Sequence, residues 1–282
     1  MDHQTKYERL LARIREMESV VVAFSGGVDS TFLLYAAHDA LGDAAMAVTG
    51  RSPSVPADEL EGAEALAARI GARHRVVDTD EFEDPRFKVN PPDRCYHCKS
   101  TLFSTLWSVA RAEGLKQVIE GSNLDDRGDY RPGSVACQEL EVRSPLAEVE
   151  LTKDEIRTLS RERNLPTWSK PAMACLASRV PYGEELTPER MARIEAGEKA
   201  VRSLGFEQLR VRDHGTLARV ELTPDQIPRL AEPAMRERAV AALKAAGYTY
   251  VSLDLTGYRT GAMNETLGVG TEDDESIERE QP

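Results

Sequence analysis

The fold is decided by one stretch of the sequence, Val20-Val21-Val22-Ala23-Phe24-Ser25-Gly26-Gly27-Val28-Asp29-Ser30-Thr31. Its first five residues are apolar, which predicts a strand buried on both faces, as in a parallel sheet. A helix is predicted from Thr31 to Leu41, and Gly42 suits its C-terminal cap. Strand, glycine-rich loop and helix in this order predict a βα unit. The loop of such a unit lies at the carboxyl edge of the sheet, where ligands bind.

Strand-like and helix-like segments alternate on both sides of this stretch. Residues 6–17 are predicted to form an amphipathic helix, because their apolar positions recur at helical spacing. Further strands are predicted at 44–49, 73–78 and 117–120, and further helices at 57–70, 103–113 and 152–163, the last opening with a capping box. This alternation predicts an α/β fold with a doubly wound parallel sheet covered by helices on both faces.

The pattern changes near Pro166, because residues 166–182 show little periodicity. Beyond them, two helices and three strands are predicted at 187–204, 208–212, 217–222, 234–245 and 248–253, which together predict a smaller C-terminal α+β domain. We therefore predict a nucleotide-binding domain at 1–166 and a cysteine-bearing active-site connection at 167–186. The small α+β domain follows at 187–265, and a disordered acidic tail at 266–282.

Composition narrows the class of protein. The chain has 282 residues and a formal net charge of -12, which argues against a large nucleic-acid surface because phosphate binding needs positive charge. No apolar run is long enough to span a bilayer, and the first residues lack a secretory signal, so we expect a soluble cytoplasmic protein. Its four cysteines are too few for a disulfide scaffold and are expected to bind metal, catalyse or pack.

The residue types of the glycine-rich loop suit the binding of a nucleotide's pyrophosphate. Gly26 and Gly27 let the backbone approach an anion closely, and the N-terminus of the following helix adds N–H groups and a positive dipole end. Ser25, Ser30 and Thr31 supply hydroxyl donors. Asp29 would repel phosphate directly, so it is predicted to bind Mg²⁺. The competing interpretation is an ordinary βα turn with a capped helix.

A second polar segment ends the fourth predicted strand, Glu120-Gly121-Ser122-Asn123-Leu124-Asp125-Asp126. Because carboxyl ends of parallel strands meet at one edge of the sheet, it is expected beside the first loop. Asn123, Asp125 and Asp126 are predicted to hold Mg²⁺ against phosphate or to position the substrate. A capped acidic loop is the alternative.

The loop lacks the lysine of a P-loop and resembles instead the pyrophosphate loop of the PP-loop (N-type) ATP pyrophosphatases, which split ATP to AMP and pyrophosphate while adenylating a substrate. Further segments resemble the LarE family of ATP-dependent sulfur transferases, which help to build the nickel-pincer cofactor of lactate racemase. These segments are Ser52-Pro53-Ser54-Val55-Pro56, Arg94-Cys95-Tyr96-His97-Cys98-Lys99, residues 121–126 and residues 170–179. The resemblance runs from about residue 7 to residue 260.

The resemblance implies a two-stage reaction on a small-molecule partner, pyridinium biscarboxylic acid mononucleotide. ATP first adenylates a substrate carboxylate, and the thiolate of Cys175 then displaces AMP to form a thioester. In the sacrificial version of this chemistry the Cβ–S bond breaks, the product leaves as a thiocarboxylate and dehydroalanine remains. Lys170 and Arg179 flank Cys175 and are expected to lower its pKa if the segment folds them inward. The alternative is that Cys175 is a small buried hydrophobe.

Arg210 and Arg212 stand two apart on a predicted strand, so both side chains are expected on one face. Guanidinium groups suit a substrate phosphate, and the resemblance implies that role. A solvated strand face paired with glutamates is the competing interpretation. Glu198 resembles an acidic residue that the family places near its site, and a surface carboxylate is its alternative.

Cys95 and Cys98 add a second route for the sulfur. With Cys175 they make three thiolates, enough to hold a [4Fe-4S] cluster with one iron open to sulfide, so that no cysteine is destroyed. A structural zinc site or packed thiols are the alternatives. Cys137 lies in no comparable pattern and is expected to be structural or incidental.

Three other functions remain open at this stage. A tRNA thiolase would need a basic RNA surface, which the charge does not favour. An amide-forming ligase would leave Cys175 unexplained, and a nucleotide-sensing protein would bind ATP without turnover. The sequence does not determine the natural substrate or the oligomeric state, although the small domain is expected to mediate a homo-oligomer.

Overall fold

A four-stranded parallel sheet forms the centre of the first half of the chain, in the strand order β3-β2-β1-β4. The computed structural model describes residues 2–128, 132–171, 174–259 and 261–267. The strands are β1 (Val20–Ala23), β2 (Ala45–Arg51), β3 (Arg73–Asp78) and β4 (Gln117–Ile119). The helices around them are α1 (His3–Arg15), α2 (Val28–Leu41), α3 (Ala57–Ile70), α4 (Pro85–Lys88), α5 (Arg94–Glu113), α6 (Pro132–Glu139), α7 (Pro145–Glu148) and α8 (Lys153–Glu162). The predicted parallel α/β sheet is confirmed.

Helices cover both faces of this sheet because successive side chains of a strand point to opposite sides. Val20 and Val22 pack in one core with apolar residues of α1, α2, α3 and α8. Val21 packs in a second core, with Phe103 and Leu106 of α5. Burying one such large side chain contributes roughly 1.5–3 kcal/mol, so each face supplies a core of its own.

Helix α5 is longer than the sequence predicts, since it begins at Arg94 rather than near Phe103. Its first turns have few apolar residues, and the periodic part that packs on the sheet starts only at Phe103. Cys95 and Cys98 therefore lie on the first turns of a helix, where positions three apart share one face.

The second half contains a three-stranded sheet in the order β5-β6-β7, with β5 antiparallel and β7 parallel to β6. Its elements are α9 (Pro188–Arg202), β5 (Leu209–His214), β6 (Leu217–Leu222), α10 (Ile227–Ala231), α11 (Pro233–Ala245) and β7 (Tyr250–Leu253). Phe206, Val211, Val220 and Leu243 are among the residues of its separate core. This is the smaller C-terminal α+β region that the sequence predicts.

The chain divides into two compact units. The first unit consists of residues 1–88 and 93–175, and the second of residues 89–92 and 176 onward. The chain therefore passes into the second unit twice, just before the Cys95–Cys98 pair and just after Cys175. The four-part division proposed from the sequence stays a prediction, and most of its tail, residues 268–282, lies outside the described residues. Within the described ranges, no helix combines the length and apolar content that crossing a membrane requires.

Candidate active site

The glycine-rich loop joins the end of β1 to the start of α2. Gly27 is the N-cap of α2, and no side chain caps the first N–H groups of this helix. Gly26 has a φ of +68°, a left-handed conformation that favours glycine. The Ser25 and Ser30 hydroxyls lie 3.0 Å apart, so the loop is closed by its own serines. N–H groups exposed at a helix N-terminus form a site suited to phosphate.

Thr31 differs from the other predicted loop residues because it is fully buried. Its hydroxyl has no hydrogen-bond partner within the described part of the chain, and it lines none of the cavities considered below. Ser25, Gly27, Asp29 and Ser30, by contrast, line the larger cavity described below.

The second polar segment lies directly against the first loop. A Cβ atom at Gly121 would come within 3.1 Å of the Ser30 backbone nitrogen and 3.3 Å of the Asp29 carbonyl carbon. Only glycine fits without displacing the loop, since real Cβ atoms seldom approach backbone so closely. The two segments at the ends of β1 and β4 therefore form one site, as the parallel order of the strands predicts.

A cavity of about 370 Å³ opens beside the loop in the first unit. Its apolar wall includes Phe24, Val48 and Leu102, and its polar wall includes Ser25, Asp29, Ser30, Glu81, Cys98 and Asp126. This volume lies in the range of small-molecule sites, which are mostly apolar with a few polar groups. Glu81 is only 2% exposed, and its Oε2 has no hydrogen-bond partner among the described residues.

A second cavity, of about 330 Å³, shares Ser25, Gly27 and Asp29 with the first. Cys175 lines this cavity, together with Lys153 and Lys170. The first unit thus brings the predicted nucleophile to the same space as the nucleotide loop, although the two are 150 residues apart in sequence. We call this space the cysteine cavity.

Both lysines of the cysteine cavity are ion-paired. The Lys153 Nζ lies 2.5 Å from the Asp29 Oδ2, and the Lys170 Nζ lies 2.6 Å from the Glu59 Oε2. Lys170 also donates to the backbone oxygen of Gly26 at 3.2 Å. Sequence reasoning missed Lys153 as a site residue and used it only as part of the capping box that opens α8, which the structure confirms at Thr152 and Glu155. The capping box could have pointed to Lys153, because it predicts that a helix N-terminus follows the second polar segment closely in sequence.

The predicted residues of the second segment cap one another. The Asn123 Oδ1 accepts the backbone N–H of Asp125 at 2.9 Å, and the Asp126 Oδ2 accepts that of Asn123 at 2.9 Å. The Asp125 Oδ2 accepts the Lys153 backbone N–H at 2.8 Å. Asn123 and Asp125 therefore have the capping roles of the alternative interpretation, while Asp126 also lines the larger cavity.

Three thiols lie close enough to influence one another. Burial raises the pKa of the Cys98 thiol well above its ordinary value, and the charges of Glu81, Cys175 and Cys95 raise it further. Cys95 is exposed as a residue, and partial burial of its thiol, followed by the charge of Cys175, raises its pKa too. Mutual destabilisation of thiolates is what a bound cation would relieve.

Across the residues that the structure describes, no three or more His, Cys, Asp or Glu side chains are arranged to hold a metal ion. Cys137 is buried and donates to the Gly133 oxygen at 3.4 Å, and burial raises its pKa to about 11. Its position fits the structural role expected from the sequence.

In the second unit, the predicted phosphate-binding residues are buried and paired. Arg212 donates to both carboxylate oxygens of Glu221, at 2.8 and 2.7 Å, and to the Ser178 oxygen at 2.8 Å. Arg210 donates to the Leu209 oxygen and lies over the Tyr258 ring. The pairing with glutamate matches the competing interpretation for Arg212, but the strand face is not solvated.

Glu198 lies inside the second unit, where it is 1% exposed, so the alternative of a surface carboxylate does not hold. It accepts from the Arg179 Nε at 2.8 Å, from Arg202 at 2.9 Å and from the Val211 backbone N–H at 3.2 Å. Burial alone would raise the pKa of Glu198, but the charge and hydrogen bonds of Arg179 hold it below its ordinary value. The Arg179 guanidinium is thereby neutralised within the second unit.

A third cavity, of about 300 Å³, belongs to the second unit. The residues around it include four arginines and His214 on the basic side and three carboxylates on the acidic side: Arg179, Arg212, His214, Arg219, Arg259, Glu221, Asp254 and Glu265. Arg212 is thus paired with Glu221 and also borders open space, whereas Arg210 and Glu198 do not line this cavity.

Comparison with known proteins decides the family. Over 264 residues the chain is 39% identical to pyridinium-3,5-bisthiocarboxylic acid mononucleotide synthase of Lactiplantibacillus plantarum, a match that covers 93% of this chain and 95% of the relative. The chain belongs to the LarE family. This LarE-family chain is also 45% identical over 264 residues to an uncharacterized protein of Synechocystis, covering 94% and 98% of the two chains.

More distant matches agree with the superfamily. The asparagine synthase family model matches residues 9–107. A tRNA-specific 2-thiouridylase of Rickettsia felis is 28% identical over 232 residues, covering 68% of this chain and 63% of the relative. The fold, the loop and these relatives support an ATP-dependent sulfur transferase of the PP-loop superfamily.

Proposed function

We propose that this LarE-family chain adenylates a carboxylate of pyridinium biscarboxylic acid mononucleotide, releases pyrophosphate and converts the carboxylate to a thiocarboxylate through Cys175. One observation carries the proposal: Cys175 and the loop residues Ser25, Gly27 and Asp29 line one cavity. A thiol beside the site where an acyl adenylate forms is placed to displace AMP. The printed name of the Lactiplantibacillus relative, a bisthiocarboxylic acid mononucleotide synthase, supports the substrate class.

The first stage uses the loop and the larger cavity. Phosphate oxygens would accept from the N–H groups at the start of α2, and the apolar wall at Phe24, Val48 and Leu102 would receive the adenine. A substrate carboxylate oxygen then bonds to the α-phosphorus, and the bond from that phosphorus to the pyrophosphate oxygen breaks. The products of this stage are the acyl adenylate and pyrophosphate.

Asp29 fits a divalent cation at this site. Its Oδ1 is buried, with no hydrogen-bond partner in the part of the chain that the structure describes, and carboxylate oxygens are the ligands that Mg²⁺ prefers. When bound, Mg²⁺ would offset the charge on the phosphate oxygens as pyrophosphate leaves.

The second stage uses Cys175. Its thiolate attacks the acyl carbon, the bond from that carbon to the AMP oxygen breaks, and a thioester remains. In the sacrificial route, a base removes the Cys175 α-proton, the electron pair forms the Cα–Cβ double bond, and the Cβ–S bond breaks. The thiocarboxylate leaves with the sulfur, and residue 175 becomes dehydroalanine.

The second route keeps the cysteine. Cys95, Cys98 and Cys175 are the residues that would hold a [4Fe-4S] cluster, because soft thiolate donors suit that group. In the described residues their side chains are not arranged as a metal site, so this route needs them to move closer together. A cluster with one open iron would supply sulfide to the acyl adenylate. The two routes differ in the fate of residue 175 and in their need for Cys95 and Cys98.

One experiment tests both the proposal and the route. Protein purified without oxygen is analysed for iron and acid-labile sulfide and then incubated once with ATP and the mononucleotide. Loss of the mass of H₂S from the chain, without iron, identifies the sacrificial route. Roughly four irons per chain, lost on changing Cys95 and Cys98 to Ser, identify the cluster.

Cys175→Ala separates the stages, because it should still release pyrophosphate but form no thiocarboxylate. Cys137→Ser, a buried thiol outside both cavities, is the matched control and should behave as wild type. Thiocarboxylate formation by Cys175→Ala would overturn the proposal.

We also propose Arg212 as a ligand of the mononucleotide's phosphate, with Glu198 orienting Arg179 at the same cavity. Arg210, predicted for the same role, would have to reach the phosphate from outside that cavity. The observation in favour is that Arg212 borders a cavity rich in arginine. Arg212→Ala should raise the Michaelis constant of the mononucleotide more than that of ATP, and an equal rise in both would count against the assignment.

A tRNA thiolase is the second candidate, since several relatives carry the name tRNA-specific 2-thiouridylase, among them that of Rickettsia felis. That match covers 63% of the relative, against 95% for the mononucleotide synthase, and the net charge of -12 offers no broad basic surface. Salt-sensitive, tight tRNA binding would reverse this order.

A further inference from the structure

Glu81 is a buried carboxylate that neither stage of the proposed reaction uses. It begins the short turn Glu81–Glu83 that follows β3, and only 2% of the residue is exposed. The next residue, Phe82, packs against Phe87 with the ring centroids 5.1 Å apart, which holds the turn in place. Strand β3 is parallel to β2 and β1, so the turn lies at the same edge of the sheet as the glycine-rich loop. Glu81 is therefore fixed at the wall of the larger cavity.

The two oxygens of the Glu81 carboxylate have different surroundings. Its Oε1 accepts from the Ser54 hydroxyl at 3.3 Å, and Ser54 is itself bonded to the Ser52 hydroxyl at 2.8 Å. Its Oε2 is buried and has no hydrogen-bond partner among the residues that the structure describes. Of the described residues that line this cavity, only Lys99 is basic, and its Nζ lies 3.7 Å from the Glu120 Oε2. One buried acceptor at the cavity wall thus lacks a donor.

The ligand proposed for this cavity brings such a donor. In the adenylation stage the phosphates of ATP bind the glycine-rich loop, and the adenine ring enters the apolar part of the cavity, which includes Val48 and Leu102. Adenine carries an N–H₂ group at its 6-position, whereas guanine has a carbonyl oxygen there. A carboxylate accepts from the amino group and repels the carbonyl oxygen, because both of those oxygens are acceptors. A purine without a 6-amino group would leave the Glu81 Oε2 unpaired, which is costly in a buried site.

We propose that Glu81 selects ATP by accepting a hydrogen bond from the 6-amino group of adenine on its Oε2. Because Ser54 already donates to Oε1, a single oxygen is available, which suits one amino group rather than the two adjacent donors of guanine. Ser54 also restricts the rotation of the carboxylate. The inference rests on the proposed ATP-dependent adenylation and adds to it the residue that determines which nucleotide is used.

The test compares equilibrium binding of ATP with that of purine riboside 5′-triphosphate, which lacks only the amino group. Calorimetry is carried out in Mg²⁺ and without the carboxylate substrate, so that no adenylate forms. Wild type should bind purine riboside triphosphate roughly ten- to hundredfold more weakly than ATP, the value of a hydrogen bond to a charged group. Glu81→Met has a side chain of similar length without an oxygen and should bind the two nucleotides almost equally. This cycle isolates the interaction between the amino group and residue 81.

Glu83→Met is the matched control, because Glu83 belongs to the same turn but is exposed and lines neither cavity of the first unit. This control should keep the wild-type ratio of the two affinities. Glu81→Gln keeps an acceptor oxygen without the charge and should give an intermediate ratio. An unchanged ratio in Glu81→Met would overturn the proposal, and so would a wild type that binds GTP as tightly as ATP.

These outcomes are separable from failure of the proposed function. If wild type binds none of the three nucleotides, the ATP-dependent reaction itself is wrong. If wild type prefers ATP and Glu81→Met keeps the whole preference, only the role of Glu81 is wrong. Thermal unfolding shows whether Glu81→Met is folded. If it is not, Glu81→Gln supplies the comparison, with a smaller but measurable fall in the ratio expected and an unchanged ratio overturning the proposal.

Discussion

Buried carboxylates are satisfied to different degrees in the two units. Within the described ranges, the only buried carboxylate oxygens without a hydrogen-bond partner are the Asp29 Oδ1 and the Glu81 Oε2, and both residues line first-unit cavities. In the second unit, fully buried Asp213 accepts from Arg190, Arg193 and the Tyr248 hydroxyl at 2.6–3.1 Å. Unsatisfied charge at a cavity wall is costly unless a ligand completes it, whereas saturated charge holds a fold together.

The saturation of the carboxylates in the second unit bears on the predicted phosphate-binding role of Arg210 and Arg212. Glu198 and Glu221 each hold two arginines, so the basic groups of the second unit are largely neutralised where they lie. A phosphate bound there would have to use the donors that remain on Arg212 or displace Glu221. The Asp29 site requires no such displacement of a saturated network.

Asp213→Ala should give the largest loss of stability. It removes the fully buried carboxylate that half-buried Arg190 and Arg193 share, and among the described residues only Arg190 keeps another carboxylate, that of Glu184, so the loss should be about 3 kcal/mol. Hydrogen exchange at Val211 and Val220 reports the second unit, since both residues lie in its core.

Glu265→Ala is the control, because its ion pair with Arg259 lies in the same unit but is exposed, and its removal should leave stability unchanged. Equal effects of the two substitutions would mean that the saturated network does not hold the unit together.

Glu198→Gln should cost about 2 kcal/mol at neutral pH, the value of hydrogen bonds to a charged group. Burial opposes ionisation, but Arg179 and Arg202 lower the pKa of Glu198 below its ordinary 4.5. A carboxyl with a lowered folded-state pKa stabilises above the unfolded pKa and loses that contribution as pH falls through the folded value. The difference between wild type and variant should therefore shrink below pH 4.5, as measured by urea unfolding at several pH values. A constant difference would show that the charge of Glu198 is not the stabilising feature.

Gly121→Ala should cost about 1–3 kcal/mol, because its Cβ meets the loop backbone rather than a movable side chain. Trp107 and Trp168 both belong to the first unit, so their fluorescence in urea follows that unit alone. Binding of α,β-methylene-ATP, a non-hydrolysable ATP analogue, should weaken in parallel, since the loop itself shifts. Gly62→Ala in α3 has open space around its Cβ and should be neutral or stabilising. If both variants lose equally little stability, the close approach of the two loops is not the reason that residue 121 is glycine.

The parallel sheet, the loop at its edge and the capping box of α8 could be predicted from the sequence, because each depends on residues that are close together in the chain. The start of α5 was missed, since its first turns carry Arg94, Cys95 and Cys98 and are held by the apolar residues that follow. The pairing of Lys153 with Asp29 joins residues 124 positions apart, and no periodicity encodes such a contact. The position of Cys175 in the cavity came from family resemblance, because its own segment has no regular pattern.

Asp29→Asn should have the smallest effect on stability, about 0–1 kcal/mol, because its ion pair is partly exposed and one of its oxygens is already unsatisfied. Tryptophan fluorescence in urea measures this for the first unit, beside Asp213→Ala followed by hydrogen exchange in the second. If Asp29→Asn lowered the free energy of unfolding as much as Asp213→Ala, the contrast between the two units would be wrong. A near-neutral change in stability, joined to weaker binding of α,β-methylene-ATP by Asp29→Asn in the presence of Mg²⁺, would support it. The charge would then be one that the fold tolerates for the sake of a ligand, which is the usual relation between stability and a functional site.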